Sequence, residues 1–149
     1  MIYLGTDHRG FALKEKIKGW LTEWGYRFED LGNTVLDPDD DYPDFAAQVA
    51  RRVAENPTGN QGIVLCGSGI GVDVVANKFK GVRSALLWSD DANLAQMARE
   101  HDDTNVLSLP ADYLSEEAAQ RIVRTWIETP PGTHPRFIRR LEKIKAIEG

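Results

Sequence analysis

Apolar and polar positions along the chain fall into alternating blocks that predict strands and helices in turn. Short apolar runs, typical of buried strands, cover residues 2–6, 26–31, 62–65, 82–88 and 105–109. Between them lie stretches whose apolar positions recur every three or four residues, as on one face of a helix. Strands that alternate with helices favour a parallel sheet with helices on both faces.

Helix signals support the same division of the chain. Gly25 and Gly81 are placed to end helices, Ser89–Asp90 and Ser115 to cap helix starts, and Pro135 to open the last helix. The predicted helices cover residues 11–24, 42–56, 72–81, 90–100, 115–127 and 135 onward. The predicted fold is therefore α/β, a Rossmann-like three-layer sandwich around a five-stranded parallel sheet.

The last predicted helix has a broad apolar side that follows a proline-rich break. Its apolar residues are Phe137, Ile138, Leu141, Ile144 and Ile147. A helix of this kind packs on its own domain or docks on a neighbouring subunit, and the sequence leaves both open.

Composition indicates one ordinary globular domain, residues 1–149. The chain has 149 residues, of which 42% are hydrophobic and 28% charged, and its net charge of −5 favours neither nucleic acid nor an anionic membrane. No apolar run approaches the ~20 residues of a membrane span, and no signal peptide is expected. A single cysteine excludes an internal disulfide and a cysteine-based metal cluster, and it suits the reducing cytoplasm.

The most suggestive local feature is a glycine turn that follows the third predicted strand. Residues 65–71 read LCGSGIG, and the alternate glycines Gly67, Gly69 and Gly71 let the backbone approach a ligand and open N–H groups toward an anion. Cys66 stands at the strand's end, where the helix that follows favours a thiolate. Taken alone, a lone cysteine is more often a small buried apolar residue. The glycine spacing matches neither a dinucleotide fingerprint nor a phosphate loop.

Other polar residues follow strand ends as well. Asp7–His8 follow the first predicted strand, and Ser89–Asp90 follow the fourth. Parallel sheets bind ligands beyond the carboxyl ends of their strands, at the topological switch point. We therefore expect these residues to share one rim of the sheet with the glycine turn.

Several motifs, in order over nearly the whole length, resemble ribose-5-phosphate isomerase B and the related galactose-6-phosphate isomerase subunits. They are GTDHRGF at 5–11, DYP at 41–43, CGSGIG at 66–71, ANK at 76–78, REHDDTNVL at 99–107, and Arg136 with Arg140. The family converts an aldose phosphate into a ketose phosphate through an enediolate, without a metal or an organic cofactor. The resemblance thus implies a cytoplasmic isomerase, with ribose 5-phosphate to ribulose 5-phosphate as the first expectation.

The resemblance also assigns roles to residues. It implies that Cys66 is the proton-transfer base, that Ser68 and the backbone of the glycine turn stabilise the enediolate, and that His101 assists ring opening. Some family members use a Glu just past the turn, where this chain has Val72. The remaining implied contacts with the sugar or its phosphate come from Asp7, His8, Tyr42, Gly67, Gly69, Gly71, Asp102, Arg136 and Arg140. Without the resemblance, Asp7 reads as a turn residue and Tyr42 as a core aromatic.

Two positions depart from the family pattern. Asp102 stands where an Asn is common, and Asp112 where an Arg commonly grips phosphate. Three explanations stay open: Asp112 turns to solvent, which we prefer; the substrate is another phosphorylated sugar; or the chain only binds a sugar or polyol. Arg9, His134 and Arg139 are interpreted as surface or loop residues.

The family's members are dimers or larger, with pockets completed by a second subunit. The resemblance therefore implies a homodimer or tetramer with shared active sites and a small sugar phosphate as ligand. A non-catalytic binding homologue and a nucleotide-binding domain are the alternatives from other classes. The nucleotide-binding domain is disfavoured, because no acidic residue is placed to bind a ribose after the glycine turn.

Overall fold

The protein is described here by a computed structural model that covers residues 1–149. Its sheet has five strands, all parallel: β1 Ile2–Thr6, β2 Phe28–Asp30, β3 Gln61–Cys66, β4 Ser84–Leu86 and β5 Val106–Pro110. Their order across the sheet is β2-β1-β3-β5-β4. The central strands are buried, as expected for a parallel sheet covered on both faces.

Six α-helices complete the fold. They are α1 Phe11–Glu23, α2 Tyr42–Glu55, α3 Ile70–Ala76, α4 Ala92–Glu100, α5 Glu116–Glu128 and α6 Pro135–Glu148, with a short 3-10 turn at His8–Gly10. None of these helices has the length and apolar character that crossing a membrane requires.

Two apolar cores lie on opposite faces of the sheet. On one face, α1, α4 and α5 bury residues such as Leu21, Ala95 and Trp126 against Leu4 and neighbouring strand residues. On the other face, α2 and α3 pack through a second cluster, listed here by its helix and strand members: Ala46, Val49, Ala50, Val53, Val72, Ala76, Tyr3, Val64, Cys66 and Val106. The predicted three-layer α/β sandwich is thereby confirmed.

The strand order places the switch point between β1 and β3. From β1 the chain moves to β2 on one side and then crosses to β3 on the other. Thr6 pairs with Leu65 in the register of these strands, so the next residues, Asp7 and Cys66, are neighbours at the carboxyl edge of the sheet. The crevice that parallel sheets use for ligands therefore opens between Asp7 and Cys66.

Several predicted boundaries are wrong by a few residues. Helix α3 ends at Ala76 rather than near Gly81, and β4 is limited to Ser84–Leu86. The N-cap of α4 is Asp91, whose carboxylate accepts the Asn93 N–H at 2.9 Å, and not the predicted pair Ser89–Asp90. Ser89 Oγ instead accepts the Asp91 N–H at 3.2 Å.

Helix α6 lies along the amino edge of the sheet without entering either core. The Gly132 N–H before it donates to the Glu100 carbonyl at 3.1 Å, and the Glu148 carboxylate at its other end accepts the Gly81 N–H at 3.1 Å. None of its residues is buried, and Ile147 is 86% exposed. Of its predicted apolar side, Phe137 and Leu141 are half-buried, whereas Ile138, Ile144 and Ile147 are exposed.

Candidate active site

The crevice at the switch point holds a cavity of about 590 Å³. It is lined by residues from the ends of β1, β3 and β5 and from the start of α2 and α3: Asp7, Arg9, Tyr42, Cys66, Gly67, Ser68, Ile70, Gly71, Val74, Asp112 and Tyr113. Of the predicted site residues, the structure brings Asp7, Tyr42, Cys66, Ser68 and two of the three turn glycines together here. A second cavity, of about 300 Å³, lies at the opposite edge beside Arg99.

Cys66 ends β3 and lies in the cavity wall. Cys66 is only 5% exposed, because it also belongs to the apolar cluster under α2 and α3. The thiol is free, as the only cysteine must be. It therefore has one side in the core and the other at the cavity.

The glycine turn after Cys66 offers backbone donors. The N–H groups of Gly67, Ser68, Gly69 and Gly71 donate to no group of the chain, whereas the Ile70 N–H donates to Ser68 Oγ at 3.2 Å. An oxyanion bound in the cavity can therefore find several unused donors next to the thiol.

Gly69 has a structural role in the turn and does not line the cavity. Its φ is +71°, which favours glycine, and an added Cβ would lie 2.9 Å from the Leu109 carbonyl carbon. The Ser108 hydroxyl donates to the Gly69 carbonyl at 2.6 Å. The turn is thus fastened to β5.

Gly71 and Tyr42 meet across the cavity wall. A Cβ at position 71 would come within 2.4 Å of the Tyr42 ring, so the glycine makes room for the aromatic side chain. Tyr42 is 38% exposed and is no core aromatic. Its position at the cavity agrees with the role that the resemblance implies.

Asp7 is the buried carboxyl group of the site. It is 6% exposed, and its Oδ1 accepts the Arg9 backbone N–H at 2.9 Å. Burial raises its pKa, against the lowering effect of hydrogen bonds from the Arg9 and Gly10 amides. A carboxyl group of this kind can exchange hydrogen bonds with a sugar hydroxyl or ring oxygen.

His8 lies beside the cavity but does not line it. Its Nδ1 is 2.7 Å from the Asp40 carboxylate, which also accepts the His8 backbone N–H at 2.9 Å. The hydrogen bond to Asp40 raises the pKa of His8, against a smaller lowering by desolvation, and so favours the imidazolium. A cation is therefore available next to the crevice.

Asp7, His8 and Asp40 are close enough to raise the question of a metal. One candidate ligand atom from each lies within 4.8 Å of the others. The ion pair between His8 and Asp40 already explains why these two side chains lie close together. The donor set gives no reason of its own to invoke an ion.

Four predicted site residues lie far from this cavity within the chain. His101 follows α4 and stacks on Phe137, with ring centroids 4.4 Å apart, while Asp102, Arg136 and Arg140 are exposed. Helix α4 leads back from the end of β4 to the start of β5, so its last residue is at the amino edge of the sheet. At about 3.3 Å per strand residue, that edge is roughly 15 Å from the carboxyl edge.

Sequence reasoning missed or misplaced several residues at the cavity. Arg9, interpreted as a surface residue, lines it and forms an ion pair with Asp112. Asp112, expected to turn to solvent, is exposed as a residue, but its carboxylate also lines the cavity and pairs with Arg9. Ile70, Val74 and Tyr113 form the apolar part of the wall.

Ser89 and Asp90 follow β4 at the carboxyl rim of the sheet, as expected, but they do not line the cavity. Strand β4 is the edge strand, two positions from β3, and Asp90 pairs with Arg121 on α5 at 2.6 Å. No local sequence signal reveals that β4 lies two strands away from β3, because this follows from the order of the strands in the sheet.

Residues 2–144 match the model of the family described as Ribose/Galactose Isomerase. This chain belongs to the ribose/galactose isomerase family. It is an isomerase, and the resemblance drawn from its motifs is confirmed. Ribose-5-phosphate isomerase B of Escherichia coli is 40% identical over 149 residues, covering 99% of this chain and 95% of that protein.

Other relatives point the same way. Ribose-5-phosphate isomerase B of Mycolicibacterium paratuberculosis is 39% identical over 99% of this chain and 91% of that protein. Among solved structures, the enzyme of Mycoplasma genitalium with bound ribulose 5-phosphate superposes with a TM-score of 0.94 at 38% identity, over 99% of this chain and 95% of that one. The enzyme of Trypanosoma cruzi superposes with a TM-score of 0.91 at 37% identity, over 99% and 97% of the two chains.

Proposed function

We propose that this family member interconverts ribose 5-phosphate and ribulose 5-phosphate through an enediolate, with Cys66 as the proton-transfer base. The observation that carries the proposal is the placement of the Cys66 thiol in the cavity wall beside unused backbone N–H donors. Relatives that are 37–40% identical and named ribose-5-phosphate isomerase B support the choice of sugar.

The reaction moves one hydrogen between neighbouring carbons. The Cys66 thiolate removes the proton from C2 of the open-chain aldose and returns it to C1, while a proton passes from the C2 hydroxyl to the C1 oxygen. The enediolate between these steps carries negative charge on oxygen. Moving a proton with a positioned base is worth about 10²–10⁴-fold in rate.

Ser68 and the glycine turn would stabilise the enediolate oxygen. The Ser68 oxygen accepts the Ile70 N–H, which leaves the hydroxyl hydrogen free to donate to a ligand. Together with the N–H groups of Gly67 and Gly71, it forms a set of preorganised donors. One donor of this type contributes roughly 2.7–4 kcal/mol to the lowering of a barrier.

Asp7 and Tyr42 would hold the sugar. Asp7 lies at the switch point with its pKa raised by burial, so its protonated form can donate to a sugar oxygen more readily than an ordinary carboxyl group. Tyr42 forms the wall over Gly71. Both residues reach the cavity from the same chain as Cys66.

We assign ring opening and most of the phosphate binding to a second copy of the chain. His101, Arg136 and Arg140 lie at the amino edge, exposed or half-buried, on or beside a helix with no buried residue. A two-fold symmetric dimer in which α6 docks on its neighbour would bring these groups, and Asp102, to the neighbour's cavity. Arg136 and Arg140 are one helical turn apart and can bind a phosphate together with His8.

The proposed reaction also bears on the oligomeric state and on the cellular compartment. A homodimer or tetramer with shared sites fits the exposed apolar side of α6. A working thiolate requires a reducing compartment, for which we propose the cytoplasm. No step of the proposed reaction needs a metal or an organic cofactor.

The Cys66→Ser variant tests the proposed base. We expect its turnover of ribose 5-phosphate to fall about 10²–10⁴-fold, because serine keeps the size but cannot supply the thiolate. Solvent deuterium exchange at C2 is the readout, and substrate affinity serves as the folding control. Exchange at the parent rate would contradict the role of Cys66.

A different phosphorylated sugar is the second candidate substrate, favoured by the Asp112 carboxylate in the cavity. A panel of aldose phosphates assayed for deuterium exchange distinguishes the two. Deuterium exchange in another sugar phosphate, but not in ribose 5-phosphate, would identify that other sugar phosphate as the substrate. Its absence in every sugar would favour a non-catalytic sugar-phosphate-binding homologue.

A further inference from the structure

Arg9 contributes a positively charged side chain to the cavity from the same chain as Cys66. Among the lining residues it is the one positively charged side chain, beside the carboxyl groups of Asp7 and Asp112. Its backbone is fixed, because its N–H donates to Asp7 Oδ1 at 2.9 Å. The side chain therefore starts from a rigid position at the switch point.

Asp112 is equally well fixed. Its backbone N–H donates to the Gly67 carbonyl at 3.0 Å, and the Ala111 N–H donates to the Cys66 carbonyl at 2.9 Å. The loop after β5 is thus fastened to the glycine turn. A carboxylate on this loop has a defined position from which to hold the Arg9 guanidinium.

The Arg9–Asp112 pair lies directly over the glycine turn. A Cβ at Gly67 would be 3.3 Å from Arg9 Nε and 2.6 Å from the Asp112 carboxylate. Gly67 follows Cys66 in the chain, and Arg9 and Cys66 line the same cavity. An exposed ion pair contributes little to stability, and this placement at a cavity is not explained by folding alone.

The guanidinium keeps donors for a ligand. Asp112 accepts from Nη2, and neither Nε nor Nη1 donates to any group of the chain. The side chain is 56% exposed and lines the cavity. The Asp112 bond occupies one edge of the guanidinium, and the edge that stays free can bind phosphate through two parallel hydrogen bonds.

We propose that Arg9 binds the phosphate of the substrate from within the same chain as Cys66, and that Asp112 positions Arg9. This inference rests on the proposed function for the identity of the substrate. It makes Arg9 a substrate-binding residue and Asp112 a positioning residue that holds the guanidinium over the turn.

The test compares Arg9→Gln with a matched control, Arg121→Gln. Arg121 also pairs with an aspartate, Asp90, at 2.6 Å and is 54% exposed, but it lies outside the cavity. Inorganic phosphate is titrated by calorimetry, and KM and kcat for ribose 5-phosphate are measured. We expect Arg9→Gln to weaken phosphate binding and raise KM about tenfold or more, with kcat nearly unchanged. Arg121→Gln should match the parent.

A conservative variant separates binding from structure. Arg9→Lys keeps the charge without the planar fork, so it should recover part of the lost phosphate affinity. A fall in kcat with an unchanged KM would overturn the proposal, because it would place Arg9 at the reacting carbons. Phosphate affinity that is equal in Arg9→Gln and the parent, or absent in the parent, would also overturn it.

Failure of the inference and failure of the proposed function give different results. If the parent binds phosphate through Arg9 but isomerises no sugar, the inference holds and the proposed function fails. If the parent isomerises ribose 5-phosphate and Arg9→Gln binds phosphate normally, the inference fails and the proposed function holds.

Discussion

The carboxyl group of Asp7 lies almost fully buried at the end of β1, and this burial raises its pKa. The native state therefore holds its proton more tightly than the unfolded chain, where an Asp titrates near ~3.9. As pH rises from the unfolded value through the native one, the ionisation of Asp7 costs stability. The ionised Asp7 carboxylate at the crevice therefore lowers the free energy of unfolding.

The Asp7→Asn variant should therefore gain stability relative to the parent as pH rises. The gain should be larger at pH 7 than at about pH 4, because Asn removes the ionising group and can still accept the Arg9 N–H. Urea denaturation of both proteins at the two pH values measures it. A difference in unfolding free energy that is the same at both values would contradict the raised pKa.

The sequence predicted individual site residues where they adjoin strand ends. Asp7, Cys66 and the glycine turn could be recognised because short-range signals, an apolar run followed by polar or glycine residues, mark the carboxyl edge of a sheet. The Arg9–Asp112 pair could not, since its members are 103 positions apart in the chain. Their meeting depends on the register of β3 with β5 and on the loop that follows β5.

At the scale of elements, the sequence predicts helix α6 correctly but leaves open what its apolar side packs against. Its start at Pro135 and its apolar side agree with the sequence, yet none of its residues is buried. Its two ends are held, at Glu100 and at Gly81, while its length is exposed. The fold thus presents the arginines of α6 rather than burying them.

Arg136→Ala tests whether α6 contributes to phosphate binding. We expect KM for the phosphorylated sugar to rise about tenfold or more, because a charge-assisted hydrogen bond to phosphate is lost. Arg139→Ala on the same helix is the matched control and should leave KM unchanged. Equal KM values in both variants would show that the phosphate is held elsewhere.

Element boundaries were less predictable than element types. Asp90 was expected in the cap of α4, but Asp91 takes that role while Asp90 pairs with Arg121. Three adjacent residues, Ser89 to Asp91, all have capping side chains, so local chemistry alone does not choose among them.

At the scale of the whole molecule, strand order decides which residues meet. The alternation of strands and helices predicted a parallel sheet, but the order β2-β1-β3-β5-β4 follows from packing that no local pattern reveals. That order brings Asp7 next to Cys66, whereas His101 lies at the amino edge because it follows α4 and precedes β5. The three-layer architecture could thus be predicted from the sequence, whereas the pairing of β1 with β3 that brings Asp7 to Cys66 could not.

The proposed isomerase site is divided between two copies of the chain. Each copy has the thiol at its carboxyl edge and the imidazole and arginines at its amino edge, roughly 15 Å away by strand length. In a two-fold dimer, each edge of one copy would meet the opposite edge of the other. Neither copy alone would hold a complete isomerase site.

Mixing two inactive variants tests this claim most directly. Cys66→Ala and His101→Asn, dissociated and reassociated in equal amounts, should form hybrid dimers with one intact site, or about a quarter of all sites under random pairing. We predict that isomerase activity returns to about a quarter of the parent value, while mixtures of Cys66→Ala with Cys66→Ser stay inactive. If the hybrid mixture remains as inactive as its components, the thiol and the imidazole do not act at a shared site and the account is wrong.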